Sequence, residues 1–316
     1  DGEIQEFILS QFKDTVELIL NTTSFSIIQL SLDTSQPPLD SLWQQLDVPV
    51  FQVILSSTTS EQWQDSYQGL FPRDVAINVA LPEVDGRIIT RAISFKSFQN
   101  WHPGLETSLV VYQAQQDRVN FVVDLAANWV KLKNTPPEDK KIAMILANYP
   151  NRDGRLANGV GLDTPASCVE ILKALAGKGY DVQGIPQDAD ELIKILTSGI
   201  TNDLEGISHR LVYQTLPLAT YLTYFKTLPE SVQSALNNRW GEPKGDFAIP
   251  GRQLGNIFIG IQPSRGYDLD PSLSYHAGDL EPTHQYLAYY FWLREIWQAT
   301  AAVSYTHLTL PTKRIV

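Results

Sequence analysis

Short apolar runs alternate along this chain with stretches whose apolar residues recur every three or four positions. Strands bury every second residue or a whole run, whereas helices bury a 3.6-residue stripe, so the alternation predicts α/β layers. In the first part, residues 25–32, 48–55, 75–81 and 87–95 read as strands, and residues 61–70 and 118–132 as helices. The polar stretch 133–140 carries Pro136 and Pro137 and reads as a linker. Beyond it, Lys141-Ile-Ala-Met-Ile-Leu-Ala147 has the continuous apolar character of a strand buried on both faces.

The second part carries clear helix punctuation. Thr164 is expected to cap a helix with Pro165 at its first position; Val169, Leu172 and Leu175 form its buried stripe, and Gly177 or Gly179 ends it. Asp188 with Glu191 three residues on resembles a capping box, followed by Leu192, Ile195 and Leu196. Val232, Ala235, Leu236 and Trp240 mark a further helix closed by Gly241. Residues 256–261 read as a buried strand and 283–298 as an aromatic-rich helix.

Composition narrows the function classes. The chain has 316 residues, of which 43% are hydrophobic and 19% charged, an ordinary globular balance and enough chain for roughly two domains. A net charge of −11 argues against a nucleic-acid partner, whose phosphates need clustered Lys and Arg. The single cysteine, Cys168, cannot form an intramolecular disulfide and reads as a small apolar filler on a helix, in keeping with a reducing compartment. No apolar run approaches the ~20 residues of a membrane-spanning helix, and no signal peptide is visible. The chain starts at Asp1 and its only methionine is Met144, so the native N-terminus is expected upstream.

Three loops offer chemistry. The first, Leu81-Pro-Glu-Val-Asp-Gly-Arg87, reads by residue type as a solvated Asp-Gly turn between strands. The second spans 148–163, between a strand and a helix, where open α/β sheets place ligands. Its glycines do not match a dinucleotide fingerprint; Arg152 and Arg155 are able either to grip carboxylates of a ligand or to pin the loop by Asp–Arg pairs. The third spans 262–284 and holds His276, His284, Asp268, Asp270, Glu281, Tyr267 and Tyr275. Neutral imidazoles beside carboxylates suit brief retention of a divalent transition ion and acceptance of protons, while the spacing matches no closed zinc motif. Walker A and nucleophile-elbow patterns are absent.

Ala147-Asn-Tyr-Pro-Asn-Arg-Asp-Gly-Arg155, Asn158-Gly-Val-Gly-Leu-Asp-Thr-Pro-Ala-Ser167, Gly255-Asn-Ile-Phe-Ile-Gly-Ile-Gln-Pro-Ser-Arg-Gly-Tyr267, Ser274-Tyr-His276 and Pro282-Thr-His-Gln-Tyr-Leu-Ala288 resemble signatures of CobN-type large subunits of cobaltochelatases. The resemblance is dense over 141–299 and weaker before. Magnesium chelatase large subunits share part of the frame, including the histidine at 284, but not the Asn-Arg-Asp-Gly-Arg loop. The resemblance implies layered α/β units with mainly parallel sheets, part of a larger multidomain subunit: an incomplete N-terminal domain over 1–138, a cleft-bearing domain over 139–299, and a non-native tail over 300–316. A native C-terminal strand is the alternative for that tail. It further implies a cytoplasmic, ATP-dependent complex inserting Co2+ into hydrogenobyrinic acid a,c-diamide in cobalamin biosynthesis. An AAA+ ATPase subunit and a second small subunit would be partners, ATP being used by partners rather than here.

Family members continue past residue 300 into a Gly-Lys-His-Gly-Asn-Leu-Glu-Trp-like motif, so the fragment alone is expected to be inactive. On the same basis His284, His276 and Glu281 are expected to be catalytic; His284, His276, Asp268 and Asp270 to meet the metal; and Asn148, Arg152, Asp153, Arg155, Asn158, Arg265, Tyr267 and Tyr275 to bind the ring. The alternatives are a magnesium chelatase acting on protoporphyrin IX, a tetrapyrrole-binding module without chemistry, and a sugar- or nucleotide-binding α/β protein.

Overall fold

The computed structural model describes residues 2–27, 42–66, 68–148, 151–159, 162–205, 207–266 and 280–304. Tyr267, Asp268, Asp270, Tyr275, His276, residues 28–32 of an expected strand and the tail beyond Ser304 lie outside them. The described residues divide into two units, one ending at Asn134 and the other beginning at Thr135.

In the first unit α1 (Gly2–Phe12), β1 (Ile19–Asn21) and α2 (Leu42–Leu46) precede the long strand β2 (Val50–Thr59). Then come α3 (Ser60–Gln64), α4 (Pro72–Val75), a π-helical turn Ala76–Ala80, α5 (Leu81–Val84), β3 (Ile88–His102), β4 (Thr107–Ala114) and α6 (Gln116–Asn134). The sheet order is β1-β2-β3-β4, parallel except for the antiparallel β3–β4 hairpin. The stretch 75–81 is helical, not the expected strand. Pro72 sits in its first turn, and its buried face carries Asp74, Asn78 and Pro82 at four-residue steps. Polar residues at helical spacing were buried there, so the apolar run beside them misled. The helix expected over 61–70 stops at Gln64, and Phe25 has φ 65°, unlike a strand residue.

The turn at 81–87 is not solvated either. The Arg87 and Asp85 side chains are fully buried and paired at 2.6 Å. Arg87 also donates to the Thr23 carbonyl at 3.1 Å and to Gln52 Oε1 at 2.9 Å, while Asp85 accepts from the Ile27 amide at 2.9 Å and from the Ser26 hydroxyl. A buried charge survives only when paired and bonded in this way.

The second unit begins with β5 (Ile142–Leu146), the short hairpin β6 (Asn158–Gly159) and β7 (Leu162–Asp163), α7 (Thr164–Gly177) and α8 (Ala189–Thr197). Next are β8 (Thr215–Leu216), α9 (Leu218–Phe225), α10 (Glu230–Trp240), β9 (Phe247–Ala248), β10 (Gly251–Leu254) and β11 (Ile257–Ile261). It closes with α11 (His284–Phe291), a π-helical turn Trp292–Ile296, and β12 (Ala301–Ser304). The sheet order is β10-β11-β5-β12, with β11 and β12 both parallel to β5. Successive strand residues face opposite sides. Met144, Leu146, Ile257, Ile259 and Ile261 pack with Cys168, Val169, Leu172, Leu192 and Leu196 of α7 and α8. Ala143, Ile145 and Phe258 pack with Tyr221, Phe225, Leu236, Tyr289 and Trp292 on the other face. Each fully buried Leu or Ile contributes about 1.5–3 kcal/mol, so two faces make this a three-layer core.

Two details differ from the sequence reading. Asp163, not Thr164, caps α7, accepting from the Ala166 amide at 3.0 Å. Residues 301–304, expected in a non-native tail, form β12, in register with 142–145 of β5. Small and β-branched Ala301, Ala302 and Val303 fit beside β5, and Thr300 Oγ1 accepts from the Lys141 amide at 3.0 Å, setting that register.

Candidate functional site: a cleft at the strand carboxyl ends

From β5 the chain crosses one sheet face by α7 and α8, and from β11 it crosses the other face by α11 to reach β12. Crossovers diverging onto opposite faces leave a crevice at the carboxyl ends of the strands. A cleft of about 900 Å3 lies there, lined by Arg152 and Arg155 after β5, Thr201–Glu205, Asp246 with Pro250, and Ser264 with Thr283 and Gln285. Its lining mixes apolar Ile200, Leu204 and Ile207 with charged side chains of both signs.

The turn after β5 is tied down by Asp153. Arg210 Nη2 donates to Asp153 Oδ2 at 2.6 Å and Nη1 to Oδ1 at 3.2 Å; Thr201 Oγ1 donates to Oδ1 at 2.7 Å. The Asp153 amide donates in turn to Asp203 Oδ2 at 3.1 Å. Asp203 is held below the usual carboxylate range, first by the Glu205 amide, then by that of Asp153, with Arg210 and Arg152 adding to it. Asn202 Nδ2 fastens the same strip to the Gln262 carbonyl at 2.7 Å. Asp153, expected to bind the ring, thus has both oxygens engaged by protein donors and is not among the residues lining the cleft.

The other expected residues separate. Arg152 and Arg155 are exposed and line the cleft. Asn148 is 4% exposed and bridges Leu156 through the backbone, beneath the loop rather than on its surface. Asn158 pairs with Asp163 in the β6–β7 hairpin, and neither it nor exposed Arg265 lines the cleft. Glu281 lies 3.8 Å from Arg239, and its carbonyl accepts from Trp240 Nε1 at 3.0 Å. Among the described residues no group of three or more His, Cys, Asp or Glu is arranged to hold a metal ion.

His284 does not present a free ring nitrogen to the cleft. It is 7% exposed; the Tyr221 hydroxyl donates to Nδ1 at 2.6 Å and Nε2–H donates to the Gly241 carbonyl at 3.0 Å. The rings of Tyr221 and Phe225 pack edge-on against it. Burial depresses its pKa below the usual 6.5, with the Gly241 bond acting the other way. It anchors the start of α11, where Thr283 caps the helix by accepting from the Tyr286 amide at 3.1 Å. Both ring nitrogens, expected to meet metal or protons, thus have protein partners within this chain. Arg210, Thr201, Asp203, Asp246 and Gln285 were not singled out from sequence. The one signal available was the polar run Thr201-Asn202-Asp203 after an apolar helix.

Fold and cleft together define an α/β protein with a crevice at the strand carboxyl ends, lined by charges of both signs. Residues 1–311 match the CobN/Magnesium Chelatase family model, and the chain belongs to that family. It is 46% identical over 306 residues to the aerobic cobaltochelatase subunit CobN of Pseudomonas aeruginosa, covering 93% of this chain and 24% of that protein. The CobN subunit of Sinorhizobium sp is 44% identical over 295 residues, and the chloroplastic magnesium-chelatase subunit ChlH of Oryza sativa 28% identical over 320. The solved catalytic subunit of cobaltochelatase from Mycobacterium tuberculosis superposes with a TM-score of 0.79 at 29% identity, over 96% of this chain and 26% of that one. The chain spans about a quarter of the length of these relatives. No described helix is long and apolar enough to cross a membrane.

Proposed function

We propose that this chain is a portion of the large subunit of an ATP-dependent cobaltochelatase, and that its cleft holds part of the corrin ring, hydrogenobyrinic acid a,c-diamide, that receives Co2+. The observation that carries this is the cleft itself, rimmed by Arg152 and Arg155 at the strand carboxyl ends. Guanidinium recognises carboxylates with two parallel bonds, and this ring has acid and amide side chains for such a rim. The identity of 46% to a cobaltochelatase subunit against 28% to a magnesium-chelatase subunit favours cobalt over magnesium. Insertion needs Co2+ to shed water and two pyrrolic protons to leave; carboxylates and imidazoles accept such protons. His276, Asp268 and Asp270 are the side chains we assign to the substrate metal, with Tyr267, Tyr275 and Arg265 beside the ring, and Glu281 is the proton acceptor we assign. Hydrolysis of ATP belongs to an AAA+ partner acting with a second small subunit in the cytoplasm.

Titration of the 316-residue chain with hydrogenobyrinic acid a,c-diamide, protoporphyrin IX and a nucleotide sugar tests the reading. Saturable binding of the corrin ring, weakened in Arg152→Ala/Arg155→Ala, is expected. Preference for protoporphyrin IX would move the assignment to a magnesium chelatase, and binding of the nucleotide sugar alone would overturn it.

A further inference from the structure

The cleft displays two arginines, yet the best-bonded guanidinium beside it is a third. Arg210 follows the short 3-10 turn Ile207–His209 and does not line the cleft. Its side chain is 15% exposed and that of Asp153 27%, so the pair is largely withdrawn from water. The bond is two-pronged, 2.6 Å and 3.2 Å, and Arg210 also meets the Thr201 hydroxyl and donates to the Glu205 carbonyl at 3.2 Å. Asp153 begins the 3-10 turn Asp153–Arg155, whose backbone sets the directions of Arg152 and Arg155. Thr201, Asp203 and Glu205 form another strip of the cleft lining. The clasp therefore joins two strips of that lining. It uses a planar fork, which fixes orientation as well as distance.

We propose that Arg210, acting through Asp153 and Thr201, is a positioning residue that holds Arg152 and Arg155 in the arrangement that selects carboxylate-bearing ligands. This rests on the ring-binding reading above and deepens it. Asp153 directs both its oxygens at Arg210 and Thr201. Without Arg210 the Asp153 carboxylate keeps the Thr201 bond but loses its countercharge, one and two residues from Arg152 and Arg155, and competes with a ligand for them.

The test uses the 316-residue chain with two probes, hydrogenobyrinic acid a,c-diamide and its fully methyl-esterified form. The unaltered chain is expected to prefer the free acid. Arg210→Gln is expected to weaken acid binding about tenfold, the order seen when a residue supporting a binding group is removed, and to leave ester binding unchanged. Asp153→Asn is expected to remove the clasp but also the competing anion, so the double variant should bind the acid no worse than Arg210→Gln alone. Arg210→Lys, which keeps the charge without the fork, should lose acid preference too and serves if Arg210→Gln does not melt cooperatively. Failure of the unaltered chain to bind either ring overturns the ring-binding reading and this inference with it. Ring binding with undiminished acid preference in Arg210→Gln or Arg210→Lys overturns the clasp alone. An equal loss for acid and ester also overturns it, because that is the mark of a merely structural role.

Discussion

His284 shows how far a residue's role depends on what meets its two nitrogens. A histidine at a helix start near a ligand loop reads as a metal ligand in sequence; in the fold the Tyr221 hydroxyl and the Gly241 carbonyl take both positions. Replacing it with alanine leaves two buried polar groups unpaired, at about 1–3 kcal/mol each, so His284→Ala should lower the melting temperature clearly. The same burial gives a pH signature. The folded-state pKa lies below the ordinary 6.5, so the unfolded chain binds the proton more readily. His284 then contributes full stability above about 6.5 and loses it as pH falls toward its depressed folded value. Melting at pH 7.5 and 5.5 should show a drop in the unaltered chain that is smaller in His284→Asn; an equal drop would contradict the assignment.

Arg87 belongs at the same scale. With both charges of the Arg87–Asp85 pair at 0% side-chain exposure, Arg87→Met strands a buried carboxylate and should cost about 3–5 kcal/mol in denaturant unfolding. A loss below 1 kcal/mol would mean that water reaches the site.

At the scale of elements, β11 meets α11 closely at a glycine. A Cβ built on Gly260 would lie 1.8 Å from the Tyr289 hydroxyl, so α11 docks against the sheet only because residue 260 has no side chain. That hydroxyl is buried with no hydrogen-bond partner among the described residues, and burial pushes its pKa well up. Gly260→Ala should therefore cost about 1–3 kcal/mol by overpacking. Tyr289→Phe should be neutral or stabilising, and the double variant should recover part of the loss, since removing the hydroxyl opens the space the methyl needs. Thermal melts of the three variants decide it; a Gly260→Ala protein as stable as the parent would refute the packing.

β12 gives a second test. Residues 301–304 cover one edge of β5, so a chain ending at Thr300 should melt below one ending at Ser304. Equal melting would return these residues to the expected non-native tail. The β3–β4 hairpin illustrates the limit of pattern reading at this scale. Leu109, Val110 and Tyr112 are 40%, 46% and 52% exposed, so β4 lacks the in–out alternation that announces a strand.

For the molecule as a whole, a chain spanning about a quarter of its relatives' length is expected to bind without completing the reaction. Incubated with Co2+, ATP and the partner subunits, it should yield no cobalt-corrin by absorbance; measurable insertion would show that the essential groups lie within these 316 residues.

The amino-acid sequence by itself determined the features that depend on neighbours along the chain. β5 and β11 are apolar throughout because both faces are covered; the Asp188 cap and the Gly241 stop act within one turn of their helices; and the Arg152–Arg155 loop follows its strand directly. Tertiary structure decided what depends on residues far apart. What Asp153 bonds to turned on Arg210, 57 positions away, and what His284 bonds to turned on Tyr221, 63 positions away. Local spacing encodes which face an element buries, but a hydrogen bond's partner is set by where the sheet brings distant loops together, and no periodicity in the chain records that.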